Sequence, residues 1–138
     1  AEFGPDIDFQ LLVYPVTDLT MSHPSIDENA EGYFLTKRSM EWFIANYLPE
    51  GDPKDASVSP LYADDLSEMP PSMVITAELD PLRDEGEAYA ARLRDAGVPT
   101  EALRYEGQIH GFLGMATMLD DGKDALVRAG AALRAALA

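Results

Sequence analysis

The chain contains no cysteine, which removes disulfide bonds, thiolate nucleophiles and thiolate metal ligands from consideration and leaves a reducing compartment compatible. Histidine is nearly as scarce. His23 and His110 stand in unrelated stretches with no repeated ligand spacing, so no metal centre is expected. No apolar run approaches the roughly twenty residues of a membrane-spanning helix, and no basic segment followed by an apolar one opens the chain. Basic side chains are few: 10 Lys and Arg against 25 Asp and Glu give a formal charge of −15, which repels phosphate backbones and anionic lipid. Nucleic-acid and membrane partners are therefore set aside, and a cytoplasmic location is the expectation. The opening Ala1-Glu2-Phe3 carries no targeting information, whether it is a cloning remnant or the interior of a longer protein.

What is present suits one α/β domain over residues 1–138, a length at which roughly two thirds of the unfolded surface can be buried. Residues 9–14, Phe-Gln-Leu-Leu-Val-Tyr, form a short apolar run closed by Pro15 and read as a strand buried on both faces. A polar connection follows. Thr36 is placed to cap a helix over 37–48, in which Met40, Phe43, Ile44, Tyr47 and Leu48 share one stripe and Trp42 falls opposite. Residues 49–72 hold prolines at 49, 53, 60, 70 and 71 and read as an irregular excursion of the kind that forms lids and binding loops.

Residues 73–77 are the second predicted strand. A helix over about 82–96 carries Gly86, Tyr89, Ala90, Leu93 and Gly97 on one stripe, residues 100–105 form a half-buried strand, and 120–137 a final helix with Leu126, Ala129, Gly130, Leu133 and Leu137 inward. This β-α-β-α order over 73–138 is the right-handed unit of a parallel sheet.

Asp80 lies just beyond the second strand, at the carboxyl edge where ligands and catalytic groups collect in such sheets. An Asp followed by Pro at a helix start also suits an N-cap. Asp84 or Glu85 could serve that helix terminus instead and free Asp80 to orient an imidazole. The imidazole would come from His110, in a predicted loop over 105–112 whose Gly107 and Gly111 permit a sharp turn; an ordinary solvated loop histidine is the alternative. An Asp after the penultimate strand and a His after the last match the chain order Ser, Asp, His of one hydrolase class.

Four stretches carry a closer resemblance: Gln-Leu-Leu-Val-Tyr-Pro-Val-Thr-Asp at 10–18, Tyr-Phe-Leu-Thr at 33–36 with Ser-Met-Glu-Trp-Phe at 39–43, Asp-Pro-Leu-Arg-Asp-Glu-Gly at 80–86, and Ile-His-Gly-Phe at 109–112. Together they resemble the C-terminal part of the hormone-sensitive-lipase-like family of microbial carboxylesterases, over residues 7–137. The resemblance implies part of an α/β-hydrolase fold, hydrolysis of short- to medium-chain esters without metal or organic cofactor, and a triad in which Asp80 is the acid and His110 the base. It also implies that residues 18–60 contribute to a cap, with Phe34, Met40, Trp42 and Phe112 as candidate substrate-pocket residues. Plain packing is the alternative for these, as for Met115 and Met118.

The family carries its nucleophile in a Gly-x-Ser-x-Gly elbow and its oxyanion donors in a His-Gly-Gly-type loop, both upstream of the Tyr-Pro strand. Neither motif occurs here. Ser22, Ser25, Ser39, Ser57, Ser59, Ser67 and Ser72 all lack flanking glycines. The expectation is therefore an inactive piece of an esterase, either bound to the missing N-terminal half or self-associated through its exposed strand edge. A non-catalytic interaction module built on the same fold is the rival expectation. A phosphate-accepting receiver domain would need a lysine where Tyr105 and Glu106 stand.

Overall fold

The computed structural model describes residues 6–138; the first five residues of the domain assigned to 1–138 lie outside the described residues. Three parallel strands form a sheet in the order β1 (Gln10–Val13), β2 (Ser72–Leu79) and β3 (Thr100–Ile109). The central strand is the one buried on both faces. Its Val-Ile-Thr-Ala run is almost wholly inaccessible, as expected for a β-branched segment with neighbours on either side. β1 was expected to be equally buried but is only half-buried, because it pairs with β2 along one edge alone.

Alternation along β2 distributes its side chains between two cores. Met73, Ile75 and Ala77 pack on one face with Phe112, Ala125 and Ala129, the last two from α4 (Asp120–Ala136). On the opposite face lies α3 (Arg83–Asp95), whose Tyr89 and Leu93 cluster with Leu66 and Val98. Gly86 lets α3 approach β2: a Cβ there would stand 3.1 Å from Thr76 Cγ2. The helix stops at Ala96, and Gly97, at φ +82°, takes the left-handed position past its end.

The inward stripe of α4 differs from the expected one. Gly122, Ala125 and Ala129 are buried, while Leu126 and Leu137 are exposed. The reason is a close approach: a Cβ at Gly122 would meet the Phe112 carbonyl oxygen at 2.7 Å, so the helix turns its small residues toward the sheet. Size, rather than hydrophobicity, selects the buried face.

The segment between β1 and β2 holds two further helices, α1 (Pro24–Glu28) and α2 (Lys37–Tyr47), and a single 3-10 turn at Pro60–Tyr62. Thr36 caps α2, its hydroxyl accepting the Ser39 N–H at 3.0 Å. Met40 is buried, whereas Phe43 and Tyr47 on the same stripe remain exposed. The two ends of the excursion are stitched together. Leu61 N–H donates to the Thr17 carbonyl, Leu19 N–H to Ser59 Oγ, and Tyr62 Oη to Asp18 Oδ2. Among the described residues, no helix is long and apolar enough to cross a membrane.

Candidate active site

The register of two adjacent strands places the site. Leu79, the last residue of β2, pairs with Ile109, the last of β3, so Asp80 and His110 follow side by side at the carboxyl edge of the sheet. This juxtaposition depends on an irregularity between Ala77 and Leu79, across which β3 gains residues relative to β2. The expected loop over 105–112 is accordingly mostly strand, and the turn is confined to His110 and Gly111. Gly111, at φ +88°, then diverts the chain into a 3-10 turn at Phe112–Met115.

Asp80 has a fully buried side chain, and its two carboxylate oxygens do different work. Oδ1 accepts the Leu82 N–H at 2.9 Å, which secures the turn into α3. Oδ2 lies 2.8 Å from His110 Nδ1. Helix-start support and imidazole orientation, rivals in the sequence, are both performed by one carboxylate. The short helix α1, too brief to show a periodic signal, braces this turn from outside: Ser25 Oγ donates to the Pro81 carbonyl, and Asn29 Nδ2 to the Asp80 carbonyl.

His110 is 23% exposed at its side chain, and no described residue hydrogen-bonds its Nε2. The Tyr14 ring packs against the imidazole in a tilted contact, with ring centroids 4.4 Å apart and planes inclined by 50°. An imidazole held at Nδ1 by a carboxylate presents its Nε2 as a proton acceptor, the arrangement a general base requires.

Asp84 and Glu85 both lie in the first turn of α3, where carboxylates favour a helix N-terminus, and each also holds a neighbouring segment. Glu85, only 1% exposed, receives the Thr17 and Asp18 N–H groups on Oε1 at 2.7 and 3.1 Å, tying the segment after β1 to α3. Burial pushes its carboxyl up to about 7; the two N–H donors oppose this, and the charges of Asp18 and Asp80 reinforce it. Asp84 accepts the Ser25 N–H and pairs with Arg83, which also reaches Glu28.

Asp18 anchors a second histidine. His23 Nε2 lies 3.3 Å from Asp18 Oδ2, and Thr20, Ser22 and Tyr62 also donate to that carboxylate. Burial works to raise its pKa, but those hydrogen bonds outweigh burial and hold it below the usual value. Among the described residues, no group of three or more Asp, Glu or His side chains is arranged to hold a metal ion.

The candidate pocket residues separate. Phe112 is not at a pocket: its ring is fully buried in the core against β2 and α4, because the 3-10 turn after Gly111 carries it beneath the sheet. Phe34, at φ +73° and 73% exposed, lies beside Gly111, where an added Cβ would stand 3.4 Å from its ring. Met40 lines an apolar cleft of about 610 Å³ with Val16, Leu19, Phe43, Tyr47 and Val58. Neither Asp80 nor His110 lines that cleft. Trp42 is 63% exposed on the outer side of α2, edge-on to Phe43 at 5.3 Å.

The family model for the alpha/beta hydrolase fold matches residues 1–114. The chain belongs to the α/β-hydrolase fold family. Carboxylic ester hydrolase LipN of Mycobacterium tuberculosis is 45% identical over 117 residues, which cover 83% of this chain and 31% of that protein. Carboxylesterase NlhH of the same organism is 39% identical over 138 residues, 97% of this chain and 43% of the relative. EstE1, a thermophilic and thermostable carboxylesterase cloned from a metagenomic library, superposes with a TM-score of 0.90 at 40% identity, covering 96% of this chain and 46% of that one. This α/β-hydrolase chain thus spans between about a third and a half of the length of relatives named as ester hydrolases, and corresponds to a C-terminal part of them.

Proposed function

We propose that this chain supplies the acid and base of a Ser-His-Asp carboxylesterase. The nucleophile and oxyanion donors would come from residues outside it. The observation that carries this reading is the 2.8 Å contact between Asp80 Oδ2 and His110 Nδ1, just past the paired ends of two strands and with no described residue hydrogen-bonded to Nε2. The ester-hydrolase names of the relatives support the same reading.

In this mechanism His110 Nε2 takes the proton of a serine hydroxyl as that oxygen attacks the ester carbonyl. The proton then passes from Nε2 to the leaving alkoxide, which departs as the alcohol. Water repeats the sequence on the acyl-enzyme: His110 takes its proton and returns it to the serine as the acid leaves. Asp80 stays ionised throughout, fixing the tautomer with hydrogen on Nδ1 and stabilising the imidazolium that forms twice per cycle.

Six of the chain's seven serines have their hydroxyls engaged elsewhere. Ser25 Oγ is committed to the Pro81 carbonyl, Ser59 Oγ accepts from Leu19, Ser72 Oγ donates to the Pro70 carbonyl, and Ser22 Oγ donates to Asp18. Ser39 pairs with Thr36 and Ser57 with Asp55. None of these bonds involves His110.

Residues 18–60 would contribute to a cap beside a β-α-β-α unit over 73–138, with Phe34 next to the His110 turn and Met40 in the apolar cleft as the cap's substrate-facing side chains. The cleft suits the acyl or alcohol portion of a short- to medium-chain ester. The half-buried edge of β1 is where the rest of the enzyme, or a second copy, would pair. The residues 1–138 expressed alone are expected to hydrolyse p-nitrophenyl acetate no faster than the same chain carrying Asp80→Asn and His110→Ala. Turnover in the isolated chain that His110→Ala abolishes would overturn the assignment of the nucleophile to residues outside it.

A further inference from the structure

The residue that directly follows β1 has an unusual backbone. Tyr14 adopts φ +37°, in the left-handed region that aromatic residues avoid, and it directly precedes Pro15, which normally drives its predecessor to an extended conformation. Such strain persists only where the surroundings enforce it. Here the Tyr14 N–H is held by the Ile75 carbonyl at 2.7 Å. The result of the strained turn is to place the Tyr14 ring on the His110 imidazole at 4.4 Å, with the Phe112 ring behind it at 6.1 Å.

His110 needs that contact for a geometric reason. Its only hydrogen bond among the described residues is the one from Nδ1 to Asp80 Oδ2, and Asp80 Oδ1 is already committed to the Leu82 N–H. A single contact fixes one point of the ring. It leaves the imidazole free to rock about that point, which moves Nε2, the atom that must meet the serine. A second ring packed against the imidazole at 4.4 Å restricts this freedom.

We propose that Tyr14 is a positioning residue for His110, its ring fixing the plane of the imidazole that the Asp80 contact alone leaves free. The inference rests on the triad reading above. The phenol takes no part in proton transfer: burial, and then the charge of Asp80, raise its pKa, so the hydroxyl stays protonated at working pH.

The test uses the intact protein that contains these residues, with p-nitrophenyl acetate as substrate. Tyr14→Phe keeps the ring and is expected to keep kcat within about threefold. Tyr14→Gly removes the ring while fitting the left-handed backbone without strain, and Tyr14→Asn does the same with a residue that tolerates that region. Both are expected to lose about 10- to 100-fold in kcat, the scale of a displaced catalytic group, with KM changed by less than about threefold. The low-field Nδ1–H proton resonance of His110, assigned by its loss in His110→Ala, should persist in Tyr14→Phe and broaden in Tyr14→Gly and Tyr14→Asn.

Unchanged kcat in a folded Tyr14→Gly or Tyr14→Asn variant, with His110→Ala inactive, would overturn the positioning role and leave the triad intact. So would equal losses in Tyr14→Phe and Tyr14→Gly with the His110 resonance unaltered. Full turnover in His110→Ala would remove the triad reading itself and this inference with it.

Discussion

Glu85 offers a perturbation whose size follows from its surroundings. Its carboxyl is nearly inaccessible, its Oε1 serves two backbone N–H groups, and burial lifts its pKa from 4.5 to about 7. In the unfolded chain the group releases its proton near 4.5, whereas the folded protein holds that proton until about 7. The folded state therefore binds more protons between these values, and stability falls as pH rises through them. The favourable contribution is fully present below about 4.5 and lost above about 7. At about 1.4 kcal/mol per pH unit, the gap amounts to roughly 3 kcal/mol.

Glu85→Gln isolates this term from the other carboxylates. A glutamine is neutral at every pH and retains an oxygen to accept the Thr17 and Asp18 N–H groups. Urea unfolding of the intact protein and the variant from pH 4.5 to 8 is the assay. The variant is expected to gain on the parent by roughly 3 kcal/mol across that interval. A difference between the two that stays constant over the interval would mean that Glu85 titrates alike in the folded and unfolded states, contrary to this expectation.

Three further perturbations bear on particular contacts. Gly122→Ala drives a Cβ into the Phe112 carbonyl at 2.7 Å; overpacking of about 1–3 kcal/mol should exceed the helix-propensity gain of about 1 kcal/mol, and a lower melting midpoint checks it. Thr36→Ala removes the α2 cap and should cost about 1 kcal/mol in urea unfolding, with Thr36→Ser close to the parent. Asp18 stabilises the fold when ionised, since its folded pKa lies below its ordinary value of 3.8. That contribution is present above about 3.8 and lost as pH falls through the folded value, so an Asp18→Asn variant should show a shallower acid-unfolding transition.

Local signals carried much of the architecture into the sequence. Thr36 before an apolar stripe, the β-branched run of β2 and Gly97 past the end of α3 each act over a few residues, and each element formed within a residue or two of its expected bounds, β2 being longer at its C-terminal end. Asp80 and His110 were legible through their order along the chain. Their contact was not, because it depends on the irregularity between Ala77 and Leu79 that brings Leu79 opposite Ile109. Helix α1 was invisible, since five residues held by Asp84, Pro81 and Asp80 need no periodicity of their own.

Long-range demands explain the remaining differences. The buried stripe of α4 follows from the space beside Phe112, the half-buried state of β1 from having a partner on one edge, and the role of Glu85 from where the segment after Pro15 happens to run. Phe112 moved from the expected pocket to the core because its position relative to Gly111, rather than its aromatic character, decides where its ring goes. Tyr14 had one visible signal, the Pro15 that follows it. That signal reads as the end of a strand and says nothing of a ring turned onto a histidine 96 residues further along the chain, at His110.

Asp80 and His110 are proposed to act together as the acid and base of ester hydrolysis. The most direct measurement is kcat for p-nitrophenyl acetate in the intact protein, in Asp80→Asn, in His110→Ala and in the double variant. Asp80→Asn is expected to lose on the order of 10⁴-fold, as in a well-studied serine protease, His110→Ala at least as much, and the double variant no more than His110→Ala alone. Turnover in His110→Ala equal to that of the parent, or losses in the single variants that multiply in the double, would contradict it.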